Sequence, residues 1–212
     1  MGIIGVVAAL TLPNLNSSTG DKEKVVKLQK LYSNLQDALG RAEAVYGPVD
    51  EWFVNDNDDN KKTKRVFERM TEFMKYSKIC TVSDACTYKF DSGSSSGINV
   101  NNGIILADGS AISFAYDHTT ASYIGDDGFG GFDHIAIFID LDGFTKGPNK
   151  HGRDFFVLFL NHNRGVHAEP HNENQKYVDD YSLRSAAWII ENGNMDYLKC
   201  NDLQFGVKTS CK

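Results

Sequence analysis

Four oxygen-bearing side chains within residues 140–154 could coordinate a hard cation. Carboxylate and amide oxygens grouped in a glycine-containing loop are ligands that calcium takes in proteins. The segment does not follow the EF-hand pattern, because Gly143 comes too early and His151 stands twelfth, where a bidentate glutamate is required. The candidate calcium ligands are Asp140, Asp142, Asn149 and Asp154.

A turn is the favoured alternative for the same four residues. Asp and Asn side chains accept hydrogen bonds from their own backbone and stabilise turns without an ion. Residues 126–133, DDGFGGFD, are a second and weaker candidate for calcium. We therefore expect no required cofactor, with calcium as the one ion to be tested.

No arrangement of residues predicts catalysis. The histidines show no HExxH or other metal-ligand spacing, and the serines offer no GxSxG turn. The glycine-rich residues 128–131 are not followed by the lysine and hydroxyl residue of a phosphate loop. The prediction is a protein that is not an enzyme, with surface histidines at His118, His134, His151, His162, His167 and His171.

The cysteines fall as two local pairs, Cys80 with Cys86 and Cys200 with Cys211. No CxxC occurs, so a zinc site is not indicated. Short even-numbered pairs fit small disulfide loops in an oxidising compartment, although four cysteines allow three pairings. Four buried free thiols in a cytosolic protein are the other interpretation, because cysteine is often a plain buried residue.

The charge of the chain argues against a nucleic-acid partner. Its formal net charge is −6, whereas phosphate binding requires clustered Lys and Arg. The one dense basic run, residues 61–65, follows the acidic residues 56–59 and is interpreted as a solvated helix start. The length of 212 residues predicts one globular unit with an appendage.

Two helices are predicted in the first third of the chain. Residues 2–15 are apolar and uncharged but too short to span a bilayer alone, and they lack the pattern of a cleavable signal peptide. From residue 21 to residue 46 apolar side chains recur every three or four positions, including Val45, and Gly47-Pro48 ends the pattern. Pro13 is expected to bend a single long helix, and residues 61–76 form a second one.

After Cys86 the pattern changes to short apolar runs, as in an antiparallel sheet. Residues 103–107 and 111–116 flank Asp108-Gly109, a strong hairpin signal. Residues 135–139 and 155–160 follow, with a third apolar run at 186–190. Helices followed by strands predict an α+β fold in which the long N-terminal helix packs on the sheet. The domain division is then residues 1–20 as an apolar appendage and 21–212 as the globular domain, subdivided at 21–46, 47–97 and 98–212.

The opening residues 2–15, GIIGVVAALTLPNL, resemble the apolar helix of type IV pilins and type II secretion pseudopilins just downstream of their processing site. Residues 140–156, DLDGFTKGPNKHGRDFF, are similar to a turn between late strands of pilin-like proteins. Residues 187–198, AWIIENGNMDYL, are similar to a segment near their C-terminus. Family members carry a basic leader, a processing site and a glutamate around this helix. None of these precedes Met1, so we expect an internally begun or trimmed form that lacks a complete export signal.

The resemblance implies a structural subunit of a pilus-like or pseudopilus filament. It also implies a disulfide between Cys200 and Cys211, and it permits a calcium site in a late loop. The expected partners are other copies or other pilin-like subunits, together with the inner-membrane assembly machinery of the full-length parent. The expected location of that parent is the bacterial inner membrane and the periplasm or cell surface. Assembly would use the side chains of Ile3, Ile4, Val6, Val7, Leu10 and Leu12.

A secreted or surface-anchored binding domain is the alternative function. It would carry a pilin-like anchor, and calcium could stabilise it at the acidic loop described above. The filament hypothesis expects the leader and the glutamate in the upstream reading frame, whereas the binding-domain hypothesis expects a different anchor or none.

Overall fold

The computed structural model describes residues 3–52, 58–80, 86, 88, 102–116, 135–144, 146–161, 164–168 and 184–211, with side chains from Thr19 onward except at Tyr116. The helices in this part are α1 (Ile3–Tyr46), α2 (Asp59–Thr71) and α3 (Ser185–Asn192). The strands are β1 (Lys78–Cys80), β2 (Gly103–Ile105), β3 (Ala111–Tyr116), β4 (Ile135–Asp140), β5 (Phe155–Asn161) and β6 (Gly165–His167). The predicted α+β class is confirmed.

The six described strands form one antiparallel sheet in sequence order, β1 to β6. Ile137 at the centre of β4 pairs with Phe114 on one side and Leu158 on the other. The predicted hairpin across Asp108-Gly109 is confirmed, since Ile105 of β2 pairs with Ala111 of β3. β1 and β6, each three residues long, are edge strands that the sequence analysis did not predict.

α1 lies against this sheet through the predicted stripe. Its 44 residues include Pro13, so one helix continues past that proline, and the bend expected there stays a prediction. The prediction of this face is wrong for Val45, whose side chain is 61% exposed. The stripe continues instead from Ala42 to the partly buried Tyr46, one helical turn later. The buried members are Val25, Leu28, Leu31, Leu35, Ala38, Leu39 and Ala42.

α1 ends at the predicted glycine. Gly47 has φ +80°, a left-handed conformation that glycine adopts without a Cβ penalty, and its N–H donates to the Glu43 carbonyl at 3.0 Å. The indole N–H of Trp52 then donates to the Gly47 carbonyl at 2.9 Å. These bonds turn the chain towards α2.

α2 starts earlier and ends earlier than the predicted 61–76. Asp58 caps its N-terminus by accepting from the N–H groups of Asn60 and Lys61 at 3.0 and 3.3 Å. The basic run lies at a helix start, as interpreted, but Lys62 is not solvated, because it is buried and lies 3.6 Å from the Asp59 carboxylate. Arg65 donates to the Trp52 carbonyl at 2.7 Å, so it also holds the fold together.

Apolar side chains cover both faces of the sheet. One face packs against the helices, with Leu35 of α1 and Trp188 of α3 fully buried in the same cluster. The other face holds a smaller cluster around Tyr88, whose hydroxyl lies 2.8 Å from Ser113 Oγ. The interior strand β5 is therefore buried along its whole length.

Both predicted disulfides are present, Cys80–Cys86 and Cys200–Cys211, and no cysteine is free. This pairing excludes the interpretation of four free thiols. The Cys200–Cys211 loop docks on α3, where the rings of Trp188 and Phe205 meet edge to face at 5.0 Å.

The apolar run 186–190, grouped with the strand candidates, is helical. Ser185–Asn192 form α3, which ends at Gly193 with φ +65°. A short apolar run does not by itself distinguish a buried strand from a buried helix. Here the Ser-Ala-Ala start and the left-handed glycine at the end favour the helix.

Candidate functional site

Two Asp-Gly turns meet at one end of the sheet. Asp108-Gly109 connects β2 to β3, and Asp142-Gly143 follows β4. Gly143 has φ +91°, and a Cβ at this position would lie 2.3 Å from the Gly109 carbonyl oxygen. The two backbones are therefore in direct contact, and only glycine fits at position 143 without a shift.

Asp140 is the buried centre of the second turn. Its Oδ1 accepts from the N–H groups of Asp142 at 3.1 Å and Gly143 at 2.8 Å, and its Oδ2 accepts from Asn149 Nδ2 at 3.1 Å. Burial, with a further contribution from the Asp142 carboxyl, raises the pKa of Asp140 to about 7, and the two backbone N–H groups oppose this shift. Near neutral pH this carboxyl is consequently poised between its two protonation states.

Asn149 and Asp154 complete the loop that joins β4 to β5. Asn149 is 2% exposed, and no donor among the described residues forms a hydrogen bond to its Oδ1 atom. Asp154 accepts from the Lys150 N–H at 2.6 Å, and its own carbonyl accepts from the Leu141 N–H at 2.8 Å. Burial raises the pKa of Asp154. The peptide bond between Gly147 and Pro148 in this loop is cis.

Lysines of α1 form the opposite wall. Lys27 donates to the Leu141 carbonyl, 114 positions away in sequence, and its Nζ lies 3.9 Å from Asp108 Oδ2. Between α1 and the two turns lies a cleft of about 510 Å³. Its charged lining residues have both signs: Glu23, Lys24, Lys27, Asp108, Asp142, Lys146 and Asp154.

The structure brings together only some of the predicted calcium ligands. Asp140 and Asn149 are in contact, and Asp142 and Asp154 line the adjacent cleft. Asp140 makes the backbone hydrogen bonds that the turn alternative expected. Among the residues that the structure describes, no group of three or more His, Cys, Asp or Glu is placed to hold a metal ion. The weaker candidate, residues 126–133, lies outside the described residues.

The predicted surface histidines and assembly residues lie away from this loop or outside the described side chains, with the exception of His151. His151 is partly buried, packs edge to face on Phe155 at 5.0 Å and has its pKa lowered by burial, so it is not a plain surface histidine. His167 lies in β6, half-buried beside Phe159. The remaining four histidines are outside the described part of the chain. The predicted assembly residues lie in α1, in the part of this helix where the structure describes the backbone but not the side chains.

The cleft lysines are functional candidates that the sequence analysis missed. Lys24 and Lys27 flank the buried Val25 and Leu28 on α1, which places them at the edge of the stripe. That position is a usable signal, because a lysine at the edge of an apolar face extends its charged end towards whatever the face covers. The identity of the opposite loop could not be predicted.

A model of a family of unknown function, DUF6613, matches residues 14–198. No curated protein and no solved structure matches the chain. Within the described residues, no helix is both long and apolar enough to cross a membrane.

Proposed function

We propose that this chain, which belongs to the DUF6613 family, is a structural subunit of a type IV pilus-like or pseudopilus-like filament and assembles through the N-terminal part of α1. The proposal rests on the resemblance of residues 2–15 to the pilin helix and on one structural observation. That observation is the continuity of α1, a single helix from Ile3 to Tyr46.

The uncharged apolar segment and the amphipathic stripe of the sequence lie in one continuous helix. At about 1.5 Å per residue the helix is about 66 Å long. Side chains between Val25 and Ala42 cover the sheet, whereas the uncharged residues come before them in the same helix. Such an arrangement supports a subunit in which one half of the helix belongs to the domain and the other half packs against neighbouring copies.

Contacts around Asp21 support a fixed exit of the helix from the domain. Lys199, next to the Cys200–Cys211 loop, lies 3.2 Å from the Asp21 carboxylate and 3.5 Å from that of Asp196. Asp196 also accepts from the Cys211 N–H at 3.0 Å. A helix held at this point would transmit the position of the domain to the apolar half.

Sedimentation velocity of the full chain tests the proposal. Val6→Glu with Leu10→Glu should convert large assemblies to smaller species, because charges do not enter an apolar helix interface. The matched control is Val45→Glu with Val207→Glu, which makes the same kind of change at two exposed valines. Equal assembly of both variants would contradict the proposal.

The cleft favours a second candidate function, a binding domain stabilised by calcium. The carboxylates of its lining supply hard oxygen atoms, and beside Asp140 the buried Asn149 Oδ1 has no hydrogen-bond donor in the part of the chain that the structure describes. A ligand that binds only the folded state raises the melting temperature with its concentration. Calcium, but not magnesium, should then raise the melting temperature of the wild-type chain and leave that of Asp142→Asn unchanged. An unchanged wild-type melting temperature would remove this candidate.

A further inference from the structure

The face of α1 opposite the sheet is exposed and carries charges. Positions spaced by three and four residues share one side of a helix, and here they extend from Lys22 to Ala44. In chain order this outer face consists of Lys22, Val26, Lys30, Ser33, Asp37, Gly40 and Ala44, with Glu23 and Arg41 along one edge.

Four of the charged side chains lie towards the same edge of this outer face. A helix advances about 100° per residue, which places Glu23, Lys30, Asp37 and Arg41 within about 40° of one another. Along the chain the four charges alternate between negative and positive, with one pair of opposite charges on each side of Ser33. Glu23 and Lys30 lie before this serine, whereas Asp37 and Arg41 lie after it.

Within the described residues these groups are only partly satisfied by their own chain. Asp37 and Arg41 lie 3.7 Å apart with more than half of each side chain exposed, and the Arg41 guanidinium lies 5.2 Å from the centre of the Phe73 ring. Neither Glu23 nor Lys30 has an ion pair within 4 Å in this part of the chain, although Lys30 helps to lower the pKa of Asp108 from a longer distance.

From this order we propose that the outer face of α1 binds the same face of a second copy, with the two helices antiparallel. A twofold axis close to Ser33 then places Lys30 opposite Asp37 and Glu23 opposite Arg41. Each of these groups meets an opposite charge, and symmetry makes each contact twice.

The middle of the face suits close approach of two helices. Val26, which is 64% exposed, meets Gly40 of the other copy, and a Cβ built on Gly40 has no atom of the described chain within 4 Å. Ser33 meets itself on the axis. On each helix the proposed interface extends from Glu23 to Arg41, a length of about 27 Å. Each sheet lies on the far side of its own α1, and the charged edge borders the domain at the cleft, which Glu23 lines, and at Phe73, which Arg41 contacts.

A parallel pair does not use the same charges. When two parallel helices face each other, one edge of a face lies against the opposite edge of its neighbour. The four charged residues share an edge, so a parallel pair separates them, whereas an antiparallel pair brings that edge against itself. The antiparallel arrangement is also distinct from filament assembly, because its two Ile3 ends point in opposite directions.

Charge reversal in the full chain tests the pair by sedimentation equilibrium. Lys30→Glu places an acidic group opposite Asp37, and Asp37→Lys places a basic group opposite Lys30. Each variant alone should associate about tenfold more weakly than the wild type at low salt, and a 1:1 mixture should restore association. High salt should weaken the wild-type pair by a similar factor, because exposed charges are screened.

Two control variants separate local pairing from net charge. Lys22→Glu makes the same change of charge on the outer face, but the axis at Ser33 places it opposite the uncharged Ala44. Lys75→Glu makes it at an exposed site outside the face. Both should associate nearly like the wild type. If they weaken association as much as Lys30→Glu, the effect belongs to net charge and the antiparallel pair is overturned.

The apolar half of α1 provides an independent comparison. Val6→Glu with Leu10→Glu should keep the salt-sensitive pair, because these positions are not part of it. If that variant loses all association while Lys30→Glu and Asp37→Lys have no effect, association belongs to the apolar segment alone. The antiparallel pair would then be overturned and the filament proposal would remain.

Cross-linking tests the orientation. All four native cysteines are in disulfides, so Ser33→Cys introduces one free thiol on the expected axis. It should form a covalent dimer on mild oxidation, whereas Asn60→Cys at an exposed site of α2 should not. Restored association in the charge-reversal mixture without a Ser33→Cys cross-link would overturn the antiparallel orientation. Absence of salt-sensitive association of the wild type would overturn the pair itself.

Discussion

Gly143 touches Gly109 so closely that a Cβ on Gly143 would lie 2.3 Å from the Gly109 carbonyl oxygen. Through this contact the turn after β4 and the β2–β3 turn form a common floor for the cleft. The two glycines have similar φ angles, +91° and +85°, but no atom of the described residues lies within 4 Å of a Cβ built on Gly109. Substitution of each glycine by alanine therefore separates the effect of a steric clash, expected only at Gly143, from that of backbone strain, expected at both positions.

Gly143→Ala should destabilise the domain more than Gly109→Ala. Both changes place a Cβ in a left-handed conformation, which costs about 1–2 kcal/mol. At Gly143 the new methyl group also forces two backbones apart, and we expect a total loss of about 2–4 kcal/mol. Urea denaturation of both variants checks this, and equal losses would show that the two turns are not in contact.

Stability should depend on pH through Asp140. Its pKa is about 7 in the folded protein, above the ordinary aspartate value of 3.8, so the folded state binds a proton between these values and the unfolded state does not. The stability contribution of this group is therefore fully present below about pH 4 and is lost as the pH rises through 7. The expected change is on the order of 1–4 kcal/mol.

Asp140→Asn should abolish most of this dependence, measured by urea denaturation between about pH 4 and 8 with a chelator present. The asparagine Oδ1 can accept the two backbone N–H groups, and its amide can donate to the Oδ1 of Asn149 after a flip of that side chain. Asp142→Asn should move the midpoint to lower pH, because the neighbouring carboxyl contributes to the raised pKa of Asp140. Identical slopes in all three proteins would exclude Asp140 as the group responsible.

Removal of the C-terminal disulfide should destabilise the domain. Cys200→Ser with Cys211→Ser opens a loop whose ends are 11 positions apart, and such loops typically contribute about 2–4 kcal/mol. The released loop also carries Phe205, which packs on Trp188, and Thr209, whose carbonyl accepts from Asn194 at 2.9 Å. Calorimetry should show a lower melting temperature, and an unchanged value would mean that docking on α3 alone holds the loop.

Local patterns predicted the elements that local physics determines. The stripe of α1, its glycine end, the Asp108-Gly109 hairpin and the two short cysteine loops each depend on residues near one another in sequence. Ser185–Asn192 could not be assigned in this way, because a short apolar run is compatible with a strand or a helix.

Long-range contacts account for the rest of the candidate site. The hydrogen bond from Lys27 to Leu141 crosses 114 positions, and the contact of Gly143 with Gly109 requires the finished sheet. The burial of Asp140 has the same origin, since it lies at the end of β4 between β3 and β5. The sequence showed the acidic residues of the loop but not which of them would be dehydrated.

Deletion of residues 1–16 tests the central claim, that the N-terminal part of α1 is an association surface, most directly. The melting temperature and the self-association of the deletion variant should be measured together with those of the full chain. The domain keeps the stripe from Val25 to Ala42 that covers its sheet, so the melting temperature should be nearly unchanged while self-association decreases. A deletion variant that unfolds would instead show that the segment belongs to the core of the domain, and the filament proposal would lose its physical basis.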